Sequence, residues 1–191
     1  MGLKKILAGL VAVAALLTVS GCSQSGSVAA TVNGMVITED YVQNSARDLN
    51  EILSPDPAYA GYDFVGFVLG NSIMEEMLTN CLGQMGITLT DQNREQVWTS
   101  TYDPSTAEYS LWTNPKTQKA ITGLIDLTLV NSMAQSGNLD ANTLLALIDT
   151  MSVTLNPRYG QWNADSLTVS SRITKSSAGS LADPLTFTIP V

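Results

Sequence analysis

The sequence contains no histidine. That excludes Ser-His-Asp and Cys-His catalysis, imidazole metal ligands and the usual proton shuttle near neutral pH. Basic residues are scarce too, 9 against 17 acidic ones. No basic patch is present to neutralise phosphates, so nucleic acid is not an expected partner. Cysteine occurs twice, as Cys22 and Cys81. No motif resembles a phosphate loop, a metal site or a nucleophile elbow. Glu75 and Glu76 are adjacent, so on a helix their carboxylates diverge and make no general acid/base pair. The sequence therefore predicts no enzyme, no metal and no cofactor.

What is present begins with an address. Lys4 and Lys5 precede an apolar run, Ile6–Leu17, which is too short to span a bilayer as a mature helix. Leu17-Thr-Val-Ser-Gly-Cys22 follows. Small residues at 20 and 21 let a peptidase approach the backbone, and the thiol directly after them is an acceptor for a diacylglycerol thioether. This arrangement resembles the bacterial lipoprotein signal with its lipobox. It implies a signal peptide over 1–21, lipid attachment at Cys22 and a flexible Ser/Gly tether over 22–27. Two or more acyl chains give stable anchoring, here on the extracytoplasmic face of a cell membrane. Loss of Lys4 and Lys5 leaves 7 basic against 17 acidic residues, a net charge of −10. With Cys22 acylated, Cys81 has no disulfide partner; its apolar helical surroundings predict a buried, inert thiol.

The mature chain opens with Val28-Ala-Ala-Thr-Val-Asn-Gly-Met-Val-Ile-Thr38. Asn33-Gly34 between two short β-type runs predicts a hairpin, because a type I′ turn needs positive φ at both central residues. Thr38 followed by Glu39 and Asp40 predicts a capped helix start. A hairpin alone is marginal in water. The third strand expected for it lies far away, within Met151–Leu155. The two ends of the mature chain thus meet in one small sheet around a helical middle.

That middle shows apolar residues at helical spacing from Thr38 to Leu53 and over Tyr62–Gln84. The stripe of the second segment is wide enough for a central helix covered on more than one side. Gly86 suits a C′ position, and Thr90-Asp91 starts a polar helix to about Ser100. Ser105–Trp112 is a short helix, Asn114-Pro115 opens a long one with proline at its first position, and Leu139-Asp140 opens the last, through Ile148. The fold class expected is mainly α, one domain over 28–169, with a small sheet from the N-terminal hairpin and a C-terminal strand. Residues 170–191 form a Ser/Gly-rich tail, expected to be partly disordered.

Three stretches resemble the SurA N-terminal-domain-like family of extracytoplasmic chaperones and anchored foldases. They are Ala29–Thr38 before an acidic helix start, Gly86-Ile-Thr-Leu-Thr-Asp91 after a long apolar helix, and Leu155-Asn-Pro-Arg-Tyr-Gly-Gln-Trp-Asn163. Members usually carry a parvulin prolyl-isomerase domain that uses histidines. Here Leu139–Met151 leads directly to the closing strand, which leaves no room for it. The resemblance implies a chaperone that holds unfolded or extended segments of exported proteins, with no isomerase activity. The alternative is a structural or assembly lipoprotein that binds one dedicated envelope partner.

Two groups of residues are candidates for contact. Trp98, Tyr102, Tyr109 and Trp112 lie in the least regular stretch and are candidates for an exposed aromatic lining for clients. The closing motif, Asn156, Pro157, Arg158, Tyr159 and Gly160 with Trp162, either lines a peptide groove or is structural. In the structural case Tyr159 and Trp162 pin the last strand onto the helices, and Arg158 pairs with an acid or a helix C-terminus. The methionines, frequent for this length, sit mostly on helical stripes and are expected in the core.

Overall fold

A computed structural model describes residues 28–163 and 168–170. The signal segment, Cys22, the tether, and residues 171–191 of the predicted tail lie outside the described residues. Strands β1 (Val28–Val32) and β2 (Met35–Thr38) form the predicted hairpin, with φ of 48° at Asn33 and 87° at Gly34. Both values are positive, as a type I′ turn demands. Strand β3 (Val153–Leu155) pairs antiparallel with β1, so the sheet order is β2-β1-β3 and the two ends of the fold share one sheet.

Between them run six helices. Helix α1 (Glu39–Leu53) starts at Thr38, whose hydroxyl accepts from the Tyr41 amide, and it stops at Ser54-Pro55. Helix α2 (Phe64–Gln84) is capped by Asp63 and ends at Gly86 with φ of 71°. It is the central element: Phe64, Val68, Leu69, Ile73, Met74, Met77, Leu78, Cys81 and Leu82 are all buried. Helix α1, the sheet, α5 (Gln118–Gln135) and α6 (Ala141–Ile148) all pack on it. Helix α3 (Asp91–Thr101) carries a capping box between Thr90 and Asn93. The short α4 is Ala107–Thr113.

Three expectations are corrected. Helix α5 starts at Gln118, and Asn114-Pro115 does not open it. Asn114 instead terminates α4, and its carbonyl accepts from the Thr117 and Gln118 amides, so the proline sits in the turn. A second antiparallel pair, β4 (Gln161–Asn163) with β5 (Thr168–Ser170), stands in addition to the sheet that the sequence predicts. Ser170, assigned to the tail, belongs to that pair. Among the methionines, Met74 and Met77 are buried as expected, whereas Met35 is 58% exposed on the edge strand β2 beside the exposed Val36. Among the described residues no helix is long and apolar enough to cross a membrane.

Candidate functional site

An apolar cavity of about 200 Å³ lies at the end of the bundle where α1 hands over to α2. The linker supplies Tyr59, from a 3-10 turn (Pro57–Tyr59), and Tyr62. The first turn of α2 supplies Phe64 and Phe67, and the end of α3 supplies Trp98 and Tyr102. Leu53, Leu111, Ile121 and Leu124 complete an apolar floor, and Glu108 of α4 is the one carboxylate in the lining among the described residues.

The linker geometry is local in origin. Asp56 accepts from the Ala58 amide, and Pro57 fixes the first φ of the 3-10 turn. Asp63 then accepts from the Gly66 amide and caps α2. The rings this brings together pack edge to face or tilted, Tyr59 with Tyr62 at 6.0 Å, Tyr62 with Phe64 at 5.1 Å and Tyr62 with Phe67 at 5.9 Å, while Tyr59 stacks on Phe64 at 6.3 Å. Trp98 and Tyr102 lie 4.2 Å apart across one turn of α3.

Glu108 is tied to this wall. The Tyr59 hydroxyl donates to Glu108 Oε1 at 2.7 Å. Burial, and then that hydrogen bond and the charge of Glu108, push the Tyr59 phenol well above its ordinary value. Burial and the same carboxylate raise Tyr102.

The expected exposed lining is corrected in part. Trp98 and Trp112 are buried, at 3% and 7% exposure. Trp98 Nε1 donates to the Tyr109 carbonyl at 3.2 Å, which locks α3 to α4 and turns the indole inward. Tyr102 and Tyr109 are half-buried. Trp98 and Tyr102 reach the cavity; Tyr109 and Trp112 do not line it. Tyr59 and Glu108 lie outside every candidate group in the sequence, and Tyr62, Phe64 and Phe67 fall within its apolar stretch Tyr62–Gln84. The run Tyr59-x-x-Tyr62-x-Phe64-x-x-Phe67 at a helix start was the available signal.

The closing motif divides in two. Asn156 donates to the Val28 carbonyl at 3.1 Å and to Glu39 Oε1 at 3.2 Å, while its own Oδ1 accepts from the Arg158 amide. Arg158 pairs with Glu39 at 2.8 Å, and the Tyr159 hydroxyl accepts from Gln43 of α1. These three residues hold the end of the fold to its beginning. Pro157, Gly160 and Trp162, with β3, line a broad depression of about 530 Å³. Among the described residues, no group of three or more His, Cys, Asp or Glu side chains is placed to hold a metal ion.

Fold and site together define a mainly helical domain, closed by a small antiparallel sheet, with an aromatic-walled cavity holding one carboxylate. Compared with protein-family models, curated proteins and solved structures, the chain matches none.

Proposed function

We propose that this protein is a lipoprotein, anchored through Cys22 at the extracytoplasmic face of a membrane, that holds unfolded or extended segments of exported proteins. It does so by burying their side chains, with no covalent chemistry and no isomerase activity. The observation that carries this function is the aromatic cavity at the α1–α2 junction, lined by six rings from three separate segments. Rings on a fixed scaffold bury much apolar area at little entropic cost.

A fluorescent-peptide panel titrated onto residues 23–191 tests it. Saturable binding by several unrelated extended peptides, lost when Tyr62 is changed to Ala, is the expected result. Silence across the panel overturns it. The size of the cavity favours a second function, a lipoprotein dedicated to one envelope partner. A pocket of about 200 Å³ takes one side chain and not a segment. Stoichiometric crosslinking of a single partner in cells, with no peptide binding, would establish that function instead. The anchor has its own check: Cys22→Ser should move the protein from the membrane fraction to the soluble one.

A further inference from the structure

We propose that the aromatic cavity takes an organic cation, the ammonium or guanidinium of one Lys or Arg side chain in the held segment. This names the preferred residue of the segment and rests on the peptide-holding function above. Three observations lead to it. The rings of Tyr59, Tyr62, Phe64, Phe67, Trp98 and Tyr102 all line the cavity, and aromatic rings attract cations through their negative faces. Glu108 supplies a negative charge in the same wall, and among the described residues no Lys or Arg lines the cavity. The ion pairs among the described residues engage Arg94 and Arg158, and none of them reaches Glu108.

Glu108 also keeps acceptor capacity. The Tyr59 hydroxyl occupies one site on Oε1, and a carboxylate offers about four. An apolar side chain entering the cavity would gain contact with the rings, but it would strip water from this carboxylate without replacing the lost hydrogen bonds, which is costly. A cationic head instead forms a charge-assisted hydrogen bond. Its aliphatic stem packs along apolar floor residues such as Leu53 and Leu111. The volume fits the occupant: about 200 Å³ exceeds the roughly 150 Å³ of an engineered cavity that admits benzene, and so accepts a single side chain. The net charge of −10 after signal removal draws cationic segments toward the protein.

The experiment uses one neutral host peptide carrying Lys, acetyl-lysine, norleucine or Phe at its centre, titrated onto the wild-type protein and onto Glu108→Gln. Glutamine keeps an acceptor for Tyr59, and thermal melting checks that the variant folds. The expected result is that the Lys peptide binds about tenfold tighter than the norleucine and acetyl-lysine peptides. That preference should vanish in Glu108→Gln and weaken with added salt. Equal or tighter binding of norleucine or Phe overturns the cation preference and leaves the peptide-holding function standing. Butyltrimethylammonium, followed by titration calorimetry, separates the two. Saturation by this probe without any peptide binding keeps the cation site and removes the peptide-holding function. Failure of the probe and of every peptide removes both.

Discussion

Glu75 shows how much a single residue depends on chain far from it. Its side chain is half-buried on α2, and burial pushes its carboxyl up to about 7 against the pull of Lys119, with Glu76 and Asp126 adding to the rise and Arg94 opposing it. The protonated form is therefore the one the fold prefers. Its stabilising contribution is complete below the ordinary value of 4.5 and is lost as the pH rises through about 7. Glu75→Gln mimics the neutral form. Its melting temperature should exceed the wild type's increasingly from about pH 4.5 to about pH 7, and by a constant margin above that. Parallel curves across this window would show that Glu75 is solvated. Sequence adjacency sets the Glu75 and Glu76 carboxylates apart on a helix. It carried no sign of the burial, because Lys119 and Asp126, which feel this carboxylate, stand on α5, more than forty residues away.

Between elements, the tightest constraint is the approach of α2 and α5. A Cβ placed on Gly123 would meet the Asn71 carbonyl oxygen at 2.0 Å, and that oxygen is backbone, with no rotamer to move. Gly123→Ala should cost about 3 kcal/mol, the upper end for overpacking, read by urea unfolding. Helix α3 is fastened differently. Arg94 Nε and Nη2 donate to the two oxygens of Asp126 at 2.7 and 2.9 Å, with Asp126 only 1% exposed. Asp126→Ala leaves a largely buried guanidinium with only the exposed Asp91 carboxylate as an ionic partner and should cost about 3 kcal/mol, whereas Arg94→Met with Asp126→Leu should recover most of that loss. A double variant as unstable as the single one would mean that the cost came from packing. The helices themselves were legible in the sequence because their ends are written in short-range chemistry: Thr38, Asp63, Thr90 and Asp140 all cap, and Gly86 and Gly137 terminate with positive φ. The start of α5 was misplaced because Asn114-Pro115 satisfies the rules for opening a helix and those for leaving one equally well. The candidate site was only half legible. Aromatic content pointed to Trp98 and Tyr102, but their inward aim follows from the packing of α3 on α4, and Glu108 joins them only because the 3-10 turn delivers the Tyr59 hydroxyl to it.

For the molecule as a whole, the decisive feature is that its ends depend on each other. The Asn33 side chain, at the hairpin tip, accepts from the Ser152 amide at 2.9 Å, and the Asn33 amide donates to the Ser152 carbonyl at the same distance. At the other end of β1, the Asn156 amide donates to the Ala29 carbonyl, and its side chain reaches Val28 and Glu39. Two asparagines thus pin β3 at both ends of β1, where a short three-residue strand would otherwise fray. Asn156→Ala removes a donor from the half-buried Val28 carbonyl and from Glu39, so it should lower stability by about 1–3 kcal/mol. The location of the loss is the sharper test. If the ends form one cooperative unit, native-state hydrogen exchange should accelerate at Asn33 and Ser152, at the far end of the sheet, while amides within α2 and α5 keep their protection. Acceleration confined to Arg158–Gly160 would show that the closing turn is a local clasp, and that the hairpin stands on the helices without it.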